Sequence, residues 1–287
     1  MKKLLLLFVC AILSLSIGAA DKQSIRINTD NIDIILQVSP KNRLYQVYLG
    51  ENLNSTADFN HFTWNIYPGS DGGYSIRGHE AYPGSGGEDM FEPALAITHA
   101  DGNQTTYLYY QSSSQKAIPG GKETIIQLAD DKYAVQVTLH YVAYSKENVI
   151  KTWSEIKHNE KSPITLWRYA SGMFYFNSSK YFLTNYHSDW AREGQPAVQQ
   201  LQFGKKIVDT KLGTRAAEQS EPFFELGFDQ PAQESQGRVM LGTIGWTGNF
   251  SFTFEIDNVN CLRVIPAINS YASNYKLKAG ETFKTPE

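Results

Sequence analysis

The sequence predicts an all-β protein, an antiparallel β-supersandwich with few short helices, and three observations lead to this fold class. Apolar and polar residues alternate with period two in many short runs, which places apolar side chains on one sheet face. Turn residues separate these runs, and no stretch alternates a strand with a helix. Aromatic residues, which pack well on a pleated surface, make up 13% of the chain.

The individual strands follow from this alternation. They are expected at residues 32–38, 44–49, 105–110, 123–128, 135–141, 149–156, 164–169, 239–246 and 250–256, with a further apolar run at 261–265. Two of the turns between them are Pro119-Gly120-Gly121 and Thr247-Gly248-Asn249. Residues 195–202 are the closest approach to a helical period, and they leave a short helix after Pro196 open. Together these elements fit a sandwich of short strands.

One segment differs from this pattern. Residues 52–87 are rich in Gly, Asn, Ser and Asp and have little periodicity. A loop of this length in a compact domain is usually functional or disordered. It contains Trp64, a candidate ring for stacking on a sugar. The sequence therefore leaves both function and disorder open for this segment.

The first twenty residues have the pattern of a secretory signal peptide. Lys2 and Lys3 precede the apolar run 4–17, and small residues follow up to Ala20. Cleavage after Ala20 would leave a secreted or periplasmic protein of residues 21–287. Because the apolar run is short for a membrane span, no membrane anchor is expected after cleavage. Cys261 would then be the only cysteine, a small buried residue that cannot form an internal disulfide.

Charge and residue spacing argue against several functions. The net charge is −3 and no basic face is visible, so no nucleic-acid partner is expected. The six histidines have no ligand spacing, so neither a metal nor another cofactor is expected. No spacing marks a catalytic pair among the candidate carboxylates, which are Glu92, Asp130, Asp131, Glu155 and Glu193. The adjacent Asp130 and Asp131 are expected in a solvated turn.

Six ordered segments, spanning nearly all of residues 25–287, resemble the N-terminal domain of family 36 glycoside hydrolases, the α-galactosidase family. They are Val47-Tyr48-Leu49-Gly50, the stretch 86–95 ending in Glu92-Pro93-Ala94-Leu95, residues 149–156, residues 162–171, Trp190-Ala191-Arg192-Glu193, and the closing stretch 277–287. The chain departs from the family at Asp89-Met90-Phe91, where the family commonly has Asp-Phe-Arg. It also lacks the histidines of a later family segment, where it has residues 218–223.

The resemblance implies a galactose-mutarotase-like supersandwich and a function. It implies that residues 21–287 are the non-catalytic N-terminal domain of an exo-glycosidase that hydrolyses terminal α-galactosides of oligosaccharides. There the domain would support the catalytic barrel and the oligomer and line the substrate pocket. Retaining glycosidases use two carboxylates, which the family carries on its barrel strands, and no part of this chain matches those strands. The chain alone is therefore expected to be inactive, with a barrel as its partner in cis or in trans.

Two other functions stay open. One is a stand-alone periplasmic module that binds or assembles glycans on the same sandwich. The other is a galactose-mutarotase-like enzyme, which would need a His and a Glu to converge on a concave sheet. A barrel encoded in frame or directly downstream of Glu287 would support the α-galactosidase function, and a stop followed by unrelated sequence would support the stand-alone module.

Four residues are the candidates for substrate binding. The resemblance implies that Asp89 reaches a sugar hydroxyl in a neighbouring subunit's active site, and the alternative is a carboxylate that caps its own turn. Trp190 and Arg192 would lie between sandwich and barrel or between subunits. Their alternative is a tryptophan packed on a sheet beside a surface arginine. Trp64 is the fourth candidate, as a stacking ring.

Overall fold

The computed structural model describes residues 23–62, 79–87, 89–213 and 220–287, and these are mostly β-strand. Its one helix in the described ranges is a 3-10 helix, Thr56–His61, capped by Ser55. The strands are β1 Ser24–Asn28, β2 Ile32–Val38, β3 Leu44–Glu51, β4 Leu95–Thr98, β5 Leu108–Ile118, β6 Gly121–Asp130, β7 Val135–Tyr144, β8 Val149–His158, β9 Ile164–Tyr169, β10 Phe174–Asn177, β11 Tyr181–Tyr186, β12 Pro196–Gln200, β13 Gly204–Asp209, β14 Phe223–Phe228, β15 Arg238–Thr243, β16 Phe250–Ile256, β17 Cys261–Ile268, β18 Tyr275–Leu277 and β19 Thr282–Lys284.

These strands form five sheets within the described residues, and their strand pairs are antiparallel. The sheet orders are β1-β2-β3, β10-β17-β16-β13, β12-β11-β14-β15, β18-β9-β4 and β19-β8-β7-β6-β5. The hairpin between β5 and β6 turns at Pro119-Gly120, where Gly120 has a φ of 77° that glycine adopts without strain. The predicted all-β antiparallel fold is confirmed.

Two hydrophobic clusters fill the interior. The larger one joins β1–β9 with parts of β10, β17 and β18, and includes the alternating Val135, Val137 and Leu139 of β7. The smaller cluster is rich in aromatic residues and lies between the sheets of β16 and β14. Phe252 and Phe254 both meet the ring of Phe224 edge-on, at centroid distances of 5.0 and 4.8 Å. The period-two pattern thus fills the core as the sequence predicts.

The short helix left open at residues 195–202 is a strand instead. Residues 196–200 form β12, which pairs with β11 at the edge of its sheet, with Pro196 opposite Tyr186. Proline is tolerated as the first residue of an edge strand because no ladder hydrogen bond needs its missing N–H. Side-chain burial alternates along β12, which is the period of a strand.

Some of the residues singled out by the sequence lie in the described ranges, and others lie outside them. Residues 1–20, the predicted signal peptide, and Trp64 lie outside the described residues. Within the described ranges, no helix is long and apolar enough to cross a membrane. Cys261 is 2% exposed at the start of β17, as predicted. Asp130 accepts hydrogen bonds from the N–H groups of Lys132 and Tyr133, which confirms the predicted turn.

Candidate functional site

The glycine-rich approach to Asp89 packs against its own chain. A Cβ on Gly84 would lie 2.3 Å from the carbonyl oxygen of Thr106, so this position must be glycine. Gly86 has a φ of 76°, and a Cβ there would lie 2.5 Å from Thr105 Oγ1. Two of the glycines therefore fix the path of the loop that leads to Asp89.

Asp89 forms an ion pair with a buried arginine of β17. Arg263 Nη2 donates to Asp89 Oδ2 at 2.9 Å and to Oδ1 at 3.2 Å. Oδ1 also accepts the N–H of Phe91 at 3.0 Å, so Asp89 does cap its own turn. The Arg263 side chain is 2% exposed and that of Asp89 is 17% exposed. A buried guanidinium needs such a partner, since an unpaired buried charge is costly.

Arg263 supplies the positive charge beside Asp89. Phe91, which stands where the family commonly has arginine, lies with its ring centroid 5.2 Å from the Arg263 guanidinium carbon. Tyr175 lies 5.3 Å from the same carbon, so the cation contacts two aromatic rings. Arg263 Nη1 also donates to the carbonyl oxygen of Glu92 at 2.9 Å. No sequence pattern pointed to Arg263, although a single arginine inside an apolar strand is a usable signal for a buried ion pair.

Further charges surround this pair and complete what we call the Asp89 cluster: Asp89, Glu92, Arg168, Lys205, Glu255 and Arg263. The Glu92 carboxylate contacts Lys205 and lies 2.5 Å from Arg168 Nη2. Burial raises the pKa of Glu92. The hydrogen bond from Lys205 and the nearby cations together lower it by more than burial raises it, so the pKa lies below the ordinary value. Burial raises the pKa of Glu255, which accepts the Glu92 N–H at 2.8 Å. These carboxylates are thus engaged in internal pairs.

Trp190 and Arg192 lie elsewhere, in the connection between β11 and β12. The Trp190 side chain is 87% exposed, and Ala191 next to it has a φ of 63°, a conformation that costs energy for a residue with a Cβ. Arg192 pairs with Asp189, and its N–H donates to the Asp189 carbonyl oxygen at 2.9 Å. A tight, strained turn therefore projects the indole into solvent. The predicted alternative of a tryptophan packed on a sheet does not match this exposure.

The sheet that carries this turn has an apolar outer face. We define the apolar face by four side chains: Val198, Phe223, Val239 and Leu241. Their exposed fractions are 55%, 38%, 42% and 71%. In the register of β12, β11, β14 and β15, Val198 and Leu241 lie in one row across the sheet. Thr184 and Glu225 lie between these two residues in the row, so the face combines exposed apolar side chains with polar ones.

The structure places the predicted residues in two separate regions. Asp89 belongs to the cluster on β17, whereas Trp190 and Arg192 belong to the turn at the end of the β12-β11-β14-β15 sheet. In the described residues, the hydrogen bonds of Asp89 and Arg192 do not connect these regions. Asp89 and the Trp190 turn therefore belong to two different surfaces, each of which could contact a separate partner.

A histidine and two glutamates do converge on the outer face of the five-stranded sheet. His140 Nδ1 lies 2.9 Å from Glu123, and its Nε2 lies 3.9 Å from Glu155. The imidazole stacks on Trp153 at 4.5 Å, and the amines of Lys151 and Lys284 lie 5.4 and 4.7 Å from the indole centroid. Because His140 and the lysines cover the indole, the arrangement offers little ring surface to a sugar.

A third group of side chains brings together donor atoms of the types that bind metals. His79, Asp257 and Cys261 are buried, and one donor atom from each lies within 4.8 Å of the other two. The chain separates His79 from the other two residues by 178 or more positions, so no spacing motif could reveal the group.

The comparisons with known proteins match the fold. Residues 42–278 match the glycosyl hydrolase family 36 N-terminal domain. Alpha-galactosidase 1 of Pediococcus pentosaceus is 28% identical over 221 residues, which cover 72% of this chain and 30% of that protein. The bifunctional alpha-galactosidase/sucrose kinase AgaSK of Mediterraneibacter gnavus is 26% identical over 294 residues, covering 93% of this chain and 31% of that protein. The chain thus spans about a third of these relatives.

A solved structure shows the same architecture. A variant of the family 36 α-galactosidase AgaA from Geobacillus stearothermophilus, in complex with raffinose, superposes with a TM-score of 0.81 at 23% identity. The match covers 92% of this chain and 40% of that one. The protein is therefore a β-supersandwich of the kind found in α-galactosidases. It belongs to the glycosyl hydrolase family 36 N-terminal domain.

Proposed function

We propose that this chain is the non-catalytic N-terminal domain of an exo-glycosidase that hydrolyses terminal α-galactosides of oligosaccharides. The observation that carries the proposal is the family match over residues 42–278, together with relatives named α-galactosidases that are about three times as long. In this proposal a catalytic barrel, in cis or in trans, supplies the carboxylate pair. The sandwich supports that barrel and helps to line the substrate pocket.

The apolar face and the Trp190 turn support a docking role. Leu241 and Val198 are more than half exposed on a sheet whose opposite face lies in the aromatic core. Burying one exposed leucine contributes about 1.5–3 kcal/mol to an association. We assign this surface to the barrel or to another copy of the chain, and Asp89 to the sugar side of the domain. The indole of Trp190, 87% exposed, would add a large anchor to such an interface.

Export is part of the proposal and rests on residues 1–20 alone. The two lysines, the apolar run and the small residues before Asp21 form a signal peptide, so the enzyme would act in the periplasm or outside the cell. Mass spectrometry of the protein recovered from periplasm and medium measures this directly, and a mature N-terminus at Asp21 is expected. Retention of residues 1–20 in a cytoplasmic product would contradict it.

The test of function starts with the DNA downstream of codon 287. An in-frame or adjacent barrel is expected, and the complete product should hydrolyse an aryl α-galactoside that residues 21–287 alone leave intact. Turnover by this chain alone, after removal of host galactosidase, would contradict the non-catalytic assignment. A stop codon followed by unrelated sequence would favour the stand-alone glycan-binding module.

The docking role has its own test with a matched control. Leu241→Asp places a charge on the apolar face, whereas Leu212→Asp alters a leucine of similar exposure, 69%, that lies off this sheet. In the complete protein, Leu241→Asp should release the barrel or reduce the oligomer in size-exclusion chromatography. Leu212→Asp should leave both unchanged. If the two variants behave alike, the apolar face is not part of the interface.

A further inference from the structure

We propose that His79, Asp257 and Cys261 form a binding site for one Zn²⁺ ion. The three side chains offer an imidazole nitrogen, a carboxylate oxygen and a sulfur, which are the donor types that zinc takes in proteins. All three residues are buried, with exposed fractions of 4%, 4% and 2%. Because three buried donors of different type come together here from distant positions, Cys261 does not only fill space in the core.

The distances allow one ion to reach all three donors. The donor atoms lie within 4.8 Å of one another, so a point exists within about 2.8 Å of each of them. Zinc bonds measure about 2.0–2.3 Å, so shifts of roughly half an ångström close the site. His79 Nε2 lies 3.4 Å from Asp257 Oδ2, close to the edge of a zinc tetrahedron. His79 Nδ1 lies 3.8 Å from Cys261 Sγ. These two distances involve different imidazole nitrogens, so only one of them can be an edge of the tetrahedron. One imidazole nitrogen would bind the ion, and a water would fill the remaining position.

The fold holds the donors in place. Asp257 and Cys261 flank the turn between β16 and β17, where Asp257 Oδ1 accepts the N–H groups of Val259 and Cys261 at 2.9 Å. This leaves Oδ2 directed at His79. The carbonyl oxygen of His79 accepts the N–H of Gln46 on β3 at 2.9 Å. The backbone thus fixes each donor independently of the ion.

The site also has an approach and a stacking partner for its imidazole. The His79 ring stacks on Tyr175 at a centroid distance of 4.5 Å, which limits its rotation. The same two residues line a surface cavity together with β3, Asn177 and Arg238. An ion can enter through this cavity. When the Zn–S bond forms, Cys261 releases its thiol proton to water.

The consequence of binding would be structural. The ion would join His79, which is attached to the β1-β2-β3 sheet, to the turn of the β10-β17-β16-β13 sheet. Metal binding would therefore stabilise the start of the segment that leads to Asp89.

Cobalt spectroscopy on the full chain tests the site. With Cys10→Ser, Cys261 is the only thiol, so any sulfur-to-cobalt charge-transfer band reports this residue. One equivalent of Co²⁺ should produce the band, and one equivalent of Zn²⁺ should remove it. At a hundredfold excess over Kd, Zn²⁺ should raise Tm by about 5 °C or more. Absence of the band at one equivalent overturns the proposal.

Variants assign the ligands. Cys261→Ser should abolish the band, and His79→Gln and Asp257→Asn should each weaken zinc binding at least about tenfold. Asp257→Asn keeps an oxygen for the turn and loses only the charged donor. His99→Gln is the matched control. His99 is also buried and its Nδ1 lies 2.8 Å from the Glu160 carboxylate, but no cysteine of the described residues contacts it. Unchanged binding in His79→Gln, or loss in His99→Gln, overturns the assignment.

One measurement needs no variant and so does not depend on whether each substitution folds. X-ray absorption of the zinc-loaded chain should show one sulfur among nitrogen and oxygen ligands. A shell of nitrogen and oxygen alone would place the ion elsewhere on the protein. Either result is obtained on the native sequence.

Discussion

Replacing Asp89 by alanine should destabilise the domain because it leaves a buried cation without its carboxylate. Arg263 is 2% exposed, and removing one partner of a buried pair costs about 3–5 kcal/mol. Arg263 keeps its hydrogen bond to Glu92 and its contacts with two rings, and Asp89 is 17% exposed, so the cost should lie near about 3 kcal/mol. For a domain of this size, Tm should fall by about 6–12 °C.

A double-mutant cycle followed by chemical denaturation checks this reasoning. Arg263→Met keeps the length of the side chain and removes its charge. In that background Asp89→Ala should cost only about 1 kcal/mol, the hydrogen bond to Phe91, so the coupling free energy should be about 2 kcal/mol. Additive costs would refute the account of an orphaned cation. Galactoside affinity of the complete enzyme, measured on the same Asp89→Ala variant, reports separately on the predicted sugar contact, which predicts a ten- to hundredfold loss.

Three further predictions concern single features of the domain. Trp190→Ala should change the free energy of unfolding by less than about 0.5 kcal/mol, because the side chain is 87% exposed, and calorimetry measures this. Gly84→Ala should destabilise the domain by about 1–3 kcal/mol, because its Cβ would lie 2.3 Å from a carbonyl oxygen. Gly87→Ala is the control: the nearest atoms to its Cβ would lie at 3.7 Å, so it should have little effect in the same denaturation assay. The pKa of Glu92 is lowered in the fold, so the ionised side chain stabilises the folded state above the unfolded pKa of 4.5. This stabilisation is lost as the pH falls through the folded pKa. In a profile of unfolding free energy against pH, Glu92→Gln should therefore flatten the acid limb.

The sequence predicts the sheets because their cause is local. Alternation along β7 and β16 needs only neighbouring residues, and both strands appear where expected. The polar half of β5 was not predicted, because residues 111–117 are exposed and carry no apolar period. Its pairing with β6 stabilises it instead. Residues 195–202 were ambiguous because eight residues do not separate the periods of helix and strand.

The candidate site is less predictable because its contacts are distant in sequence. Asp89 and Arg263 are 174 positions apart, and Glu92 and Glu255 are 163 apart. A pattern of neighbouring residues cannot encode such pairs. Arg263 is nevertheless anomalous in its own strand, flanked by Leu262 and Val264. A charged residue in an apolar run implies a buried partner even where the partner cannot be named.

The two candidate surfaces differ in what they can contribute to a complex. The Asp89 carboxylate already pairs with Arg263 and accepts the Phe91 N–H, so the predicted sugar hydroxyl would bind beside this pair rather than replace it. Arg263 thereby holds the carboxylate in a fixed orientation, which suits it to accept a hydrogen bond from a ligand. The Trp190 indole makes no such pair in the described residues, and its exposed fraction of 87% leaves most of its area available to a partner. The Asp89 cluster is thus suited to selecting a polar ligand, and the Trp190 turn with the apolar face is suited to supplying the binding energy of a domain or subunit interface.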